Sequence, residues 1–139
     1  MVKYIKGDLL STDAELVLHQ VNLQGVMGGG LALSIARKYP NIERAYSNFK
    51  DKKLGAVVYA PADKFFIGNC FSQNADFTTN YDALKRCLNG VLAFMREFKI
   101  KTVAIPYKYG CGIASGDWNI VENIFKEKFK DYDLLIYQL

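Results

Sequence analysis

Two glycine clusters and one histidine carry the chemistry this chain could perform. "NLQGVMGGG" fills residues 22–30, directly after the apolar run "ELVLHQV". "YKYGCGIASG" fills residues 107–116, directly after "TVAIP". Consecutive glycines weaken a fold, because glycine loses the most chain entropy on ordering. Their use implies that something approaches the backbone closely. Both clusters follow an expected central strand and precede an expected helix. In an open α/β sheet that is where helix N-termini present unpaired N–H groups to anions. Either loop alone could be a structural turn. Together they read as a two-sided cradle for a diphosphate.

Familiar phosphate motifs do not account for them. G-x-x-x-x-G-K-[ST] does not occur, and the G-x-G-x-x-G frame from Gly28 ends on Leu33. Six residues after Cys111 stands Asp117 rather than the arginine of a C-x5-R phosphatase loop. His19 is the only histidine, so any imidazole acid–base chemistry must be its work. With a near-neutral pKa it could donate a proton to a leaving sugar oxygen; a structural strand histidine is the alternative. Asp117 could activate water, or it could open a helix at "SGDW". One histidine and dispersed carboxylates form no standard metal site, so no metal and no cofactor are expected.

The chain of 139 residues suits one domain over 1–139. Its net charge of +4 fits an anionic ligand or a solvated basic surface. No stripe interleaves lysine or arginine with exposed aromatics, as a plain nucleic-acid binder would require. Cys70, Cys87 and Cys111 are far apart and form no C-x-x-C pair, which points to reduced thiols and a cytoplasmic setting. No stretch approaches the ~20 apolar residues of a membrane span, and no signal-peptide core opens the chain, so no membrane partner is expected.

Strands are predicted at 2–6, 16–21, 56–60, 65–71, 102–106 and from 133 to the C-terminus. Helices are predicted after the first glycines, stopped by Pro40, and again over 41–50. A longer helix opens at Thr79 with Asp82 as an acidic capping-box variant, and buries Tyr81, Leu84, Leu88, Val91, Leu92, Met95 and Phe98. The last runs from about Asp117 to Phe129, with Trp118, Val121, Phe125 and Phe129 on one stripe. The alternation implies an α/β fold with a mixed, mostly parallel sheet covered on both faces.

"GDLL", "LHQVNLQGVMGGGLALSIARKYP", "IPYKYGCGIASGDW" and the terminal "IYQL" occur in an order that resembles a macrodomain. The resemblance is to the compact branch of ADP-ribose 1″-phosphate phosphatases and ADP-ribosyl-glutamate hydrolases. It implies a three-layer α/β/α domain that binds ADP-ribose between the two loops. Asp8 would then accept from the adenine amino group, with Leu9 beside it, and Asn22 would orient the distal ribose. Gln24, Gly25, Met27, Gly28, Gly29 and Gly30 would wrap ribose and phosphates. Tyr109, Gly110, Cys111, Gly112, Ile113 and Ala114 would form the opposite wall, with Cys111 a small packing residue. The phosphatase branch resembles this chain in its histidine at 19, which implies phosphate removal there. The resemblance departs at Ala114, where glutamate hydrolases carry aspartate, and in "SQNADFTT", which lacks their lysine. The expected partner is ADP-ribose or a derivative, with ADP-ribosylated protein or nucleic acid as the macromolecular alternative. A hydrolase is the leading reading and a non-catalytic reader the rival.

Overall fold

The computed structural model describes residues 1–112 and 114–139. Six strands form one sheet: β1 (Val2–Lys6), β2 (Leu16–Val21), β3 (Val57–Pro61), β4 (Phe66–Phe71), β5 (Thr102–Pro106) and β6 (Asp133–Gln138). Their order is β1-β6-β5-β2-β4-β3, parallel throughout except for the β3–β4 pair. Buried parallel strands need apolar residues on both sides, and β2 supplies them by alternation. Leu16 and Leu18 enter the core beneath α3 (Tyr81–Phe98) and α4 (Trp118–Lys128). Val17 and Val21 enter the opposite core beneath α1 (Gly30–Lys38) and α2 (Pro40–Ser47). The three-layer α/β/α arrangement follows. Among the described residues no helix is long and apolar enough to cross a membrane.

Several boundaries differ from expectation for identifiable reasons. The α3 N-cap is Asn80 rather than Thr79: its side chain accepts from the Ala83 N–H at 2.8 Å. Thr79 instead donates through Oγ1 to the Gly110 carbonyl at 2.5 Å, tying the helix entry to the second glycine loop. Phe98 is 54% exposed rather than buried, its ring resting on Phe94 with centroids 4.7 Å apart. Pro40 stops α1 as expected but also opens α2 at the position where its missing N–H costs nothing. That helix ends at Ser47, and Phe49 turns back to stack on Phe71.

Parallel strands place their carboxyl ends along one edge. The turns after β5, β2 and β4 lie side by side there, and between them is the main cleft.

Candidate functional site

The cleft encloses about 800 Å³, within the range of small-molecule sites. The first glycine loop, the start of α1, the second glycine loop and the turn after β4 line it. Of the residues expected at a ligand, Asn22, Gln24, Gly28, Gly29, Gly30, Tyr109, Gly110, Gly112 and Ala114 line it, as does His19. Ile113 lies outside the described residues.

The α1 N-terminus is the clearest anion-binding element. Its N-cap is Gly29, which provides no side-chain cap, and its first turn carries no acidic residue. By contrast α3 and α4 are capped by Asn80 and Asp117. Four N–H groups begin every helix without an intrahelical partner, and here they open on the cleft. Among the described residues nothing requires Gly28 or Gly29 to lack a side chain. A Cβ at Gly29 would meet no atom within 4 Å, and one at Gly28 would make only an ordinary 3.5 Å contact with Val26. The vacated space faces the cleft. Gly110 differs: its φ of +67° and the Thr79 and Gln20 side chains 2.8 and 2.9 Å from a built Cβ make it a structural glycine.

Other expected residues serve the scaffold. Leu9 and Met27 are buried in the core beneath α1 and α2. Asp8 sits outside the cleft lining, at the end of β1, and its carboxylate accepts from the Leu10 N–H at 2.9 Å. Gly25 is clamped rather than open, its N–H donating to the Tyr46 hydroxyl at 3.1 Å and its carbonyl accepting from Ser47 Oγ at 3.0 Å. Asn22 lines the cleft, yet its amide organises its own loop. Its Oδ1 accepts from the Gln24 N–H at 3.1 Å and from the Tyr46 hydroxyl, and its Nδ2 donates to the Val26 carbonyl at 2.9 Å. Tyr109 is buried with its hydroxyl 2.7 Å from Ser72 Oγ, and Cys111 Sγ lies against the Tyr109 carbonyl.

Of the two catalytic candidates, His19 departs from the sequence expectation and Asp117 matches one of its two readings. His19 is 2% exposed, and its Nε2 lies 2.6 Å from Asn69 Oδ1. Asn69 Nδ2 donates to the Val58 carbonyl, so Oδ1 faces the imidazole and the Nε2–H is the donor. Burial pushes the pKa down to about 4, outweighing the Asn69 hydrogen bond that raises it. The expected near-neutral pKa is therefore corrected: at neutral pH His19 is an uncharged group at the cleft floor. Asp117 is exposed, does not line the cleft, and accepts from the Asn119 N–H at 2.9 Å as the α4 cap. Of its two readings, the geometry matches the cap.

Sequence reasoning passed over Gln20, Gln73, Phe77, Tyr107 and Lys108, all of which line the cleft. Lys108 is the only charged side chain among the described lining residues once His19 is neutral. Gln20 had a signal, being polar in an otherwise buried strand. So did Phe77, an aromatic in a polar turn.

The chain matches the Macro domain family over residues 18–125, which include both glycine loops. A relative from Lodderomyces elongisporus, an ADP-ribose 1″-phosphate phosphatase, is 42% identical, with 98% of this chain and 97% of the relative covered. A DNA ADP-ribosyl glycohydrolase from Mycobacterium tuberculosis is 31% identical over 99% of this chain, which spans only 42% of that relative's length. The solved macrodomain of Mycobacterium tuberculosis DarG superposes with a TM-score of 0.88 at 29% identity, covering 100% of this chain and 98% of that one. With the family model matched over residues 18–125 and the whole fold superposing on a solved macrodomain, the chain belongs to the Macro domain family.

Proposed function

We propose that this chain binds the ADP-ribose moiety in the cleft and hydrolyses the bond between its distal ribose and a substituent there. The observation that carries the reading is the uncapped α1 N-terminus beside Gly28 and Gly29, where no packing or backbone need excludes a side chain. A diphosphate uses both features, taking N–H donors and close approach together. Lys108 adds positive charge, and no carboxylate stands among the described lining residues to oppose an anion. The relatives' names supply two substituents, a 1″-phosphate and a DNA attachment. ADP-ribose 1″-phosphate is the leading substrate, because the relative with that name aligns over nearly its whole length.

Catalysis on this reading does not run through an imidazolium. His19 is neutral, and its Nε2–H is committed to Asn69. It orients rather than protonates. Rate enhancement comes from preorganised N–H donors and Lys108 stabilising charge on the phosphates and leaving group. A second reading, binding without turnover, is favoured by the same finding, since neither sequence-expected acid–base group offers a charge to the cleft.

Calorimetric titration with ADP-ribose, then phosphate release from ADP-ribose 1″-phosphate, tests both. Binding with release above background supports the hydrolase. Binding without release of phosphate, and without release of ADP-ribose from an ADP-ribosylated oligonucleotide, leaves the reader. No binding at millimolar ADP-ribose refutes the site.

A further inference from the structure

A run of hydrogen bonds beneath the second glycine loop joins both walls of the cleft. Gln20 stands half-buried on β2, where every other side chain but His19 is apolar. Its Nε2 donates toward Ser72 Oγ at 3.1 Å, the Ser72 carbonyl at 3.2 Å and Thr79 Oγ1 at 3.3 Å. Its Oε1 accepts from Gln73 Nε2 at 3.3 Å. An amide nitrogen carries two protons, and three protein acceptors surround these two. Gln20 therefore lines the cleft with no donor left for a ligand. Folding does not need that amide either. The Ser72 carbonyl also accepts from the Asn80 N–H at 2.8 Å, and Ser72 Oγ also meets the Tyr109 hydroxyl at 2.7 Å.

The direction of the bonds supplies a role. Thr79 has one hydroxyl proton, and with Gln20 donating to its oxygen that proton goes to the Gly110 carbonyl. The Gly116 N–H donates to the same carbonyl at 2.9 Å, so both of its lone pairs are taken. The carbonyl that could oppose an anion is thus held by the protein. The N–H groups of Gly110 and Gly112, which both line the cleft, have no acceptor among the described residues. A loop with its carbonyl tied back and its N–H groups left open suits a phosphate. Each bond in the run also polarises the next.

The first glycine loop is fastened to the same framework. Gln73 faces Thr79 as an antiparallel bridge across the turn after β4, and Gln24 Nε2 donates to the Ala75 carbonyl within that turn at 3.2 Å. The Thr79 N–H donates to the Ala114 carbonyl at 3.1 Å. Both walls hang on one turn, with Gln20 at its base.

We propose that Gln20 and Thr79 are positioning residues for the diphosphate. The Gln20 amide sets the direction of the Thr79 hydroxyl, and that hydroxyl holds the Gly110 peptide so that the second glycine loop presents donors rather than a carbonyl. The inference rests on the cleft being an ADP-ribose site, and it assigns neither residue a catalytic step.

The test is a double-mutant cycle on ADP-ribose affinity, read by calorimetry, with a thermal midpoint for each variant. Thr79→Val keeps the shape and the backbone bonds but loses the hydroxyl, so affinity should fall roughly tenfold while the midpoint moves by less than about 5 °C. Thr79→Ser should bind as wild type does. Gln20→Glu turns the amide donor into an acceptor that takes the Thr79 proton away from Gly110, and should weaken binding by a similar factor. In the Thr79→Val background there is no proton to redirect, so adding Gln20→Glu should cost little more. A carboxylate that merely repelled the diphosphate would weaken both backgrounds equally. Wild-type affinity in Thr79→Val, equally weak binding in Thr79→Ser, additive losses in the cycle, or a midpoint that collapses along with affinity overturns the proposal. Failure of wild type to bind ADP-ribose overturns the site and the role together, whereas binding that ignores the Thr79 hydroxyl overturns the role alone.

Discussion

Lowering the pH from 7.5 to 4.5 should titrate the unfolded chain at His19 long before the folded one. The ring is 2% exposed and its pKa is pushed down to about 4, against 6.5 for an unperturbed imidazole. Above pH 6.5 both states are neutral, and the group gives no pH dependence. Below it the unfolded chain binds a proton that the native state refuses, so stability falls as pH falls, levelling below about 4. The slope approaches about 1.4 kcal/mol per pH unit, which gives about 2 kcal/mol between pH 6.5 and 5 and about 3 kcal/mol over the whole window. That is a large share of the 5–15 kcal/mol typical of a native domain. Because His19 is the only histidine, its C2 proton gives a single imidazole resonance to follow. Urea unfolding at half-unit pH steps would supply the matching free energies. Asp76, held below the usual carboxylate range by its Thr78 hydrogen bonds, loses its contribution at lower pH and does not confuse the upper window. An imidazole midpoint near 6.5 with flat stability from pH 7 to 5 would refute the buried neutral ring. It would also return His19 to the role of proton donor.

Gly28→Val should leave stability within about 1 kcal/mol in urea unfolding, yet weaken ADP-ribose roughly tenfold or more by calorimetry, because only the ligand uses that space. Asp117→Ala should cost about 1 kcal/mol by removing the α4 cap, Asp117→Asn much less, and phosphate release by Asp117→Asn should stay near wild type. A collapse of turnover in Asp117→Asn would instead reinstate the carboxylate as a water activator. Tyr46→Phe removes the hydroxyl that joins Gly25 and Asn22, so unfolding should show a loss of about 1–2 kcal/mol and calorimetry a weaker ADP-ribose affinity.

Periodicity and punctuation located every strand to within a residue, because a strand buried on both faces must be apolar along its length, as in "LVLHQV". Helix ends were less legible. Thr79 and Asn80 are both capping residues by type, and the choice fell to Asn80 because the Gly110 carbonyl engages Thr79 from a loop far along the chain. Glycine spacing marked the two loops but could not separate Gly29, which faces open space, from Gly110, pressed between Thr79 and Gln20. That the Asn22 side chain also bonds within its own loop and to the Tyr46 hydroxyl could not be read from the sequence, because Tyr46 lies two helices onward.

The sequence by itself therefore determined the alternation of strands and helices, the two glycine loops at strand ends, and a single imidazole placed next to one of them. These follow from local chemistry: residue volume, φ preference and the period of apolar side chains. Only the tertiary structure decided that this imidazole is neutral, that Asp117 caps a helix, and that Phe77 enters the cleft. A pKa depends on what excludes water and what donates hydrogen bonds, and for His19 that partner is Asn69, fifty residues later on the neighbouring strand.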